Sequence, residues 1–324
     1  MPAKSTQELT ELTRKRPYAI FAIDEVPTSR EMTTTQGYSQ AAPPATLSIY
    51  QLARLNCREQ LIIEPLWWTS RHVELLQCSF KEPSVAPMQS NFNAERSGGA
   101  YVRTLFDHHK YGWREFRIRQ ILSGPKCPFT ALENLHFYFD QRHISILPCV
   151  TFFLQGNRDD MANGCVPAIA AFIDCAQIDE LRFERLYHCQ GRRHSKPTSA
   201  LFKLKLKKVT PPEPLHDPYI VALLIAIAHQ QRSALRSKCQ DTCATFLSRV
   251  LLTDINDTAS IHLFTADISS SFLRKLDFPA IPPSALAPPF VSIRHTTIPY
   301  KPSKTFRNRI FPLLLPSLNP ESRE

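Results

Sequence analysis

Four side chains in the C-terminal half have the types and spacing for acid–base or metal chemistry: Asp254, Asp257, His262 and Asp267. Carboxylates grouped with a histidine can hold a hard divalent ion and activate water, as metal-dependent hydrolases and nucleases do. The same text has a plainer use. Asp-Ile-Asn-Asp-Thr suits a hairpin turn, because Asn and Asp tolerate left-handed backbone, and Asp267 can simply precede the next helix. Both readings stand at this level.

A second group of residues could bind a polyanion. Between Arg182 and Lys208 there are nine Lys and Arg against Glu184 alone. Arg192, Arg193 and Lys196 lead into LFKLKLKKV, where Phe202, Leu204 and Leu206 alternate with Lys203, Lys205 and Lys207. That period of two predicts a strand with its lysines toward solvent and its apolar residues toward a core. The lysines would then stand about 7 Å apart and could track a phosphate backbone, releasing a counterion at each contact. Lysines on a strand also protect a sheet edge from unwanted pairing. Further upstream, DHHKYGWREFRIR (107–119) interleaves Tyr111, Trp113 and Phe116 with basic residues. Such a stretch suits stacking on single-stranded nucleic acid, or a half-buried element whose aromatics face inward and whose arginines reach out to water.

Common site motifs are missing. Only eight glycines occur, and no phosphate-cradling GxGxxG or GxxxxGK[ST] loop can be drawn from them. The sequence has no HExxH, no GxSxG and no CxxC pair, and the spacing of Cys175, His188, Cys189 and His194 fits no standard zinc module. No metal site and no cofactor is expected. Dispersed catalytic residues are not excluded.

The elements that must position these residues start from bulk composition. The chain has 324 residues, 43% of them hydrophobic, and a net charge of +10. A sizeable core is expected, and the charge favours a polyanionic partner: nucleic acid, an anionic membrane surface or an acidic protein surface. The N-terminus lacks the apolar run of a secretory signal. Nine cysteines, scattered and odd in number, read as reduced thiols, so a cytoplasmic or nuclear location is expected.

HDPYIVALLIAIAHQQRS (216–233) holds ten consecutive apolar residues, Tyr219 to Ala228. That is half of the roughly 20 a transmembrane helix needs. Asp217 as N-cap and Pro218 at the first helical position predict a buried core helix over about 217–240. TFLSRVLLT and SIHLFTADI predict a hairpin, and SSSFLRKLD a short helix. Strands are also expected at 16–26, as a meander across 47–80, and in ENLHFYFDQ and HISILPCVTFFLQ. Residues 101–122 fit helix or strand equally. PAIAAFIDCAQIDELRFERLYH (167–188) is helical in composition, with a middle that could open as strand. The fold class is α+β, rich in antiparallel strands around one dominant buried helix. The chain divides into an N-terminal strand and linker (1–46), a main globular region (47–278) with a possible split near 81–100, and a Pro-rich extended or disordered tail (279–324).

The block HDPYIVALLIAIAHQQR, FLSRVLLTD and SIHLFTADISSSFLRKLDFP, within 216–279, resembles a text that recurs in uncharacterised proteins of filamentous ascomycete fungi. The resemblance implies a fungal cell interior and carries no activity or site residue. The sequence thus points first to a non-enzymatic interaction protein with a basic surface at 182–208. A metal-dependent hydrolase around Asp254 and Asp257 is the alternative. Oligomeric state is left open.

Overall fold

A central mixed sheet organises the protein, seen here in a computed structural model that describes residues 46–87, 99–107, 110–155, 166–188, 196–236, 245–283 and 290–315. Its strands are β1 (Cys78–Phe80), β2 (Ser84–Val85), β3 (Phe129–Phe139), β4 (Arg142–Leu154), β5 (Ala168–Asp174), β6 (Thr245–Thr253), β7 (Ser260–Ser269) and β8 (Val291–Pro299). They lie in the order β1-β8-β7-β6-β5-β4-β3, with β2 also against β8. Four neighbouring pairs are antiparallel, β3 with β4, β4 with β5, β6 with β7 and β7 with β8, and three are parallel, β5 with β6 and β8 with both β1 and β2. The α+β class therefore holds, and the sheet is mixed rather than wholly antiparallel.

Helices cover both faces. On one, α7 (Pro218–Arg236) packs with Leu135, Phe137, Ile173, Val250, Phe264 and Ile293. On the other, α4 (Tyr111–Ser123) and α9 (Phe306–Leu314) bury Ile118, Ile121, Phe306 and Ile310 against Phe152, Phe172 and Leu251. A sheet buried on both faces needs strands that are apolar throughout, and β5 (Ala-Ile-Ala-Ala-Phe-Ile-Asp) is buried at all seven positions. That explains why its text carries no alternation. The helical composition of 167–188 belongs to α5 (Cys175–His188), which starts as β5 ends.

The buried helix begins where its capping residues place it. Asp217 Oδ1 accepts from the Tyr219 amide at 2.8 Å, and Pro218 opens the helix. Tyr219 to Ala228 are all buried. The hairpin β6–β7 and the short helix α8 (Ser270–Asp277) fall where the sequence places them, as do β3 and β4. Asp140 and Gln141 join the latter pair with positive φ at both residues, the backbone of a tight hairpin turn.

Three expectations need correction. The meander over 47–80 is instead largely helical: α1 (Ile49–Leu55), a 3₁₀ turn at Pro65–Trp67 and α2 (Ser70–Leu75) precede β1. Ser48 and Gln51 cap α1 reciprocally, so its apolar bursts have helical spacing, with Ile49 and Leu52 buried. The segment 196–209 is a helix, α6 (Lys196–Val209), and not a strand. Leu and Lys are both strong helix formers, and the alternation is satisfied by leaving Leu204 in water at 65% exposure. The tail is structured over 290–315. Strand β8 fills an interior place in the sheet and α9 closes the second core. V-S-I-R-H-T-T-I alternates as a strand should, but prolines surround it. Residues 101–122 resolve as helix: α3 (Gly99–Arg103) and α4. The predicted strand at 16–26 and the linker before 46 lie outside the described residues.

Two buried charges set opposite expectations for stability. Asp174 is fully buried and accepts from Arg114 Nε (2.6 Å) and Nη2 (2.7 Å), from Thr253 Oγ1 (2.5 Å) and from the Ala176 amide (2.9 Å). Lys275 is 3% exposed, and its amino group finds no hydrogen-bond partner among the described residues. Burial lowers its pKa. Asp174→Ala, which strands Arg114, should lower unfolding free energy by about 3–5 kcal/mol. Lys275→Met, which keeps the volume and removes the charge, should raise the thermal midpoint. Calorimetry on both variants checks this, and a lower midpoint for Lys275→Met would contradict it.

Candidate polyanion interface

Helix α6, packed beside α5, carries the basic surface, and the burial pattern decides which side chains are available. On α6 the inward row is Phe202, Leu206 and Val209, spaced by four and three residues as one helix face requires. The outward side carries Lys196, Lys203, Lys205, Lys207 and Lys208, all exposed, around Leu201 (53%) and Leu204 (65%). At 100° per residue, Lys196, Lys203 and Lys207 fall in one row, Lys208 falls between Leu204 and Leu201, and Lys205 lies beyond them. The lysines face water as the sequence predicts. Leu204 does not face the core. Arg192 and Arg193 lie outside the described residues.

Among the described residues, Lys203, Lys205 and Lys207 form no ion pair, while Lys208 Nζ stands 4.0 Å from Glu59 Oε2. Two arginines leave the basic set. Arg182 is wholly buried and holds Asp217 through both guanidinium ends, at 2.6 and 2.7 Å. Arg185 reaches Glu64 at 3.5 Å. The surface is thus narrower than the 182–208 text suggests, and it is helical.

Aromatic rings adjoin the lysines. Phe183 and Tyr187, one turn apart on α5 and each 46% exposed, stack with centroids 5.8 Å apart. Phe183 also meets Phe202 of α6 edge-on at 5.3 Å. Within 111–119, the α4 part of the 107–119 stretch, the arrangement is opposite to the snorkelling pattern. Arg114 points inward to Asp174, while Trp113 (46%) and Phe116 (44%) face out. These two rings line a cleft of about 890 Å³ with Lys110, Tyr111, Gly112, Ala176 and Glu180. Glu180 lies beside the Tyr111 hydroxyl, whose pKa is raised by burial first and by the Glu180 charge next. Nothing in the sequence marks Glu180 as a site residue, because its partners come from another helix.

The carboxylate group around the hairpin behaves as a turn. Asp254 Oδ1 accepts from the Asn256 amide (2.9 Å) and side chain (3.0 Å), and Asp257 Oδ1 accepts from the amides of Ala259 and Ser260. Asp267 sits at the other end of β7, paired with Arg294 at 2.9 Å. Five residues of strand separate it from His262, roughly 17 Å. Asp257 Oδ2 lies 3.2 Å from His262 Nε2, off the donor axis, so the contact is mainly Coulombic. His262 Nδ1 in turn lies 3.0 Å from His295 Nε2 on β8, a residue the sequence does not single out. Both rings are buried, and neither lines the cleft. Among the described residues no group of three or more His, Cys, Asp or Glu is placed to hold a metal ion.

Comparisons with known proteins add no name: no family model, no curated protein and no solved structure matches the chain. No helix among the described residues is long and apolar enough to cross a membrane.

The histidine pair makes stability depend on pH. Burial, then the His262 ring, then His216 push the His295 pKa from 6.5 down to about 4. Burial also lowers His262, against the pull of Asp257. The unfolded chain therefore takes up protons below about 6.5 that the folded state refuses until about 4. The stabilisation is complete above the upper value and is lost as pH falls through this window, by roughly 3 kcal/mol for His295. Urea midpoints at pH 7.5 and 5.0 should show the fall, and His295→Gln should flatten it. Equal slopes for both proteins would refute the assignment.

Proposed function

We propose that this protein is a non-enzymatic interaction protein that binds an acidic partner, with single-stranded nucleic acid the best fit, through the outward side of α6. One observation carries the reading: five exposed lysines on a short helix, three of them without an ion pair among the described residues, beside the exposed Phe183–Tyr187 stack. Lysine rows give salt-sensitive phosphate binding, and exposed rings give bases a surface to stack on. Protecting a sheet edge cannot explain these lysines, because α6 is not a strand. A face whose task is solvation also has no use for two leucines amid its lysines.

An intracellular place fits this reading. Cys57, Cys78, Cys127, Cys149 and Cys175 are free thiols, four of them buried. A fungal source, implied by the resemblance over 216–279, belongs to the same proposal. The geometry favours the hydrolase alternative less, since Asp254 and Asp257 each commit Oδ1 to the turn, Asp257 Oδ2 faces His262 and Asp267 stands apart.

Fluorescence anisotropy with labelled single- and double-stranded DNA and RNA tests the proposal. Affinity for single strands should fall steeply with salt. Lys203→Glu/Lys205→Glu/Lys207→Glu should lower the magnitude of the log–log slope by about 2, from roughly 0.7 per phosphate contact. The variant's circular dichroism should be unchanged, because all three side chains stand in water. Flat traces at low salt for the unmodified protein would end the nucleic-acid reading.

A further inference from the structure

The cleft between α4 and α5 is a second binding feature, separate from the lysines of α6. It opens beyond the C-terminal end of β5, where Ala176 and Glu180 of α5 face Lys110, Tyr111, Gly112, Trp113 and Phe116 at the start of α4. Crevices outside the carboxyl ends of parallel strands are common ligand sites in α/β sheets. Three properties narrow what this one fits. Trp113 and Phe116 present flat rings at 85° to each other, centroids 6.2 Å apart, and nearly half of each is open to solvent. An apolar residue left half bare is unremarkable, but two adjacent rings lining one cavity offer a planar ligand a stacking face and an edge. Gly112 adds room, since a Cβ there would meet nothing within 4 Å.

The charged lining sets polarity. Among the described residues, Glu180 and Lys110 are the two charged ones in it. Glu180 is exposed beside the Tyr111 hydroxyl, and a carboxylate has about four acceptor sites, so it has capacity for further N–H donors. Lys110 supplies the positive charge. A ligand matching all three would be flat and aromatic, would present adjacent N–H donors on one edge, and would be anionic elsewhere. Among nucleobases, guanine is the one with two adjacent donors, N1–H and the 2-amino group, that a carboxylate can accept together.

We propose that the α4–α5 cleft binds guanine carrying a phosphate: the base stacks on Trp113, Glu180 accepts its N1–H and 2-amino donors, and Lys110 faces the phosphate. The ligand can be a free nucleotide or a guanosine within a strand. The proposal does not rest on the α6 reading. A quaternary ammonium would also find rings and a carboxylate here, but Lys110 opposes it.

The test uses the full chain. GMP, IMP, AMP and tetramethylammonium are titrated by calorimetry, with tryptophan quenching followed in parallel, and GMP is set against a short guanosine-containing oligonucleotide. GMP should bind more tightly than IMP, which lacks the 2-amino group, and IMP more tightly than AMP. Glu180→Gln should weaken GMP binding by roughly tenfold or more, the loss of a charge-assisted contact, and erase the ranking. Trp113→Phe should remove the quenching. A Glu180→Gln protein that unfolds early would be replaced by Tyr111→Phe, which frees the carboxylate and should leave the GMP-over-AMP ranking intact. Equal affinity for GMP and AMP, saturation by tetramethylammonium, or no binding at millimolar GMP would overturn the proposal. Lys203→Glu/Lys205→Glu/Lys207→Glu should bind free GMP as the unmodified chain does. Loss of GMP binding in that variant would place the nucleotide on α6 instead and also overturn it. If GMP and the oligonucleotide compete, the ligand is a strand base; if both bind at once, the cleft takes the free nucleotide.

Discussion

A single carboxylate at the end of β5 holds the centre of the protein together. Asp174 is the residue at which the strand stops, and each of its two oxygens takes two hydrogen bonds. The donors come from α4, from β6 and from the first turn of α5. Arg114 fixes how α4 lies across the sheet. Thr253 ties the end of β6 to the end of β5 along their parallel register, in which Asp174 and Thr253 are direct neighbours. The Ala176 amide starts α5 in the only direction the carboxylate allows. An unpaired carboxylate at this depth would cost several kcal/mol, so the four donors are a condition of the arrangement and not an addition to it.

The long connection from β5 to its parallel neighbour β6 is anchored at both ends. Arg182 of α5 clamps Asp217, which caps α7, and also donates to the Leu66 carbonyl at 3.3 Å. At the far end of α7, Gln230 bonds Val166 and the Ala168 amide, and Gln231 bridges the carbonyls of Ala168 and Leu247, the starts of β5 and β6. Between these anchors α6 is held by one apolar row and by the Phe183–Phe202 contact. Its other side owes nothing to the core. The lysines and the two outward leucines are therefore free to serve a partner without any loss of fold.

Both proposed binding features follow from the same division of labour. Arg114 is spent on Asp174 and Arg182 on Asp217, so the two arginines that look most available in the text support the frame. Their neighbours are turned outward by helical geometry: Trp113 and Phe183, adjacent to the buried arginines, are rotated from them by about 100°, and Phe116, two residues from Arg114, by about 200°. Burying the charge and exposing the ring is unusual, and the ion pairs are what make it possible. The Asp257–His262–His295 line is the counterpart inside: polar groups tucked between strands, where they make the sheet sensitive to acid.

The sequence by itself determined those elements whose local signals are complete. Asp217 and Pro218 with ten apolar residues place the core helix, and β3, β4, β6, β7 and α8 follow from alternation and turn residues. It also located the basic surface, and showed that the hairpin aspartates suit a turn. Tertiary structure alone decided the rest. Whether LFKLKLKKV is strand or helix depends on what covers Phe202, because Leu and Lys serve either state and the covering residue, Phe183, comes from α5. Strand β8 has good alternation, but only pairing with β1, β2 and β7 makes a proline-flanked segment worth ordering. Arg114 and Asp174 read as an ordinary surface pair of types until β5 is buried on both faces. The cleft is assembled from two helices that are distant in the chain, and only the Asp174 junction brings Glu180 within reach of Tyr111. Local propensity chooses a conformation where one choice is strongly favoured; where two are close, the outcome belongs to whatever distant surface must be covered.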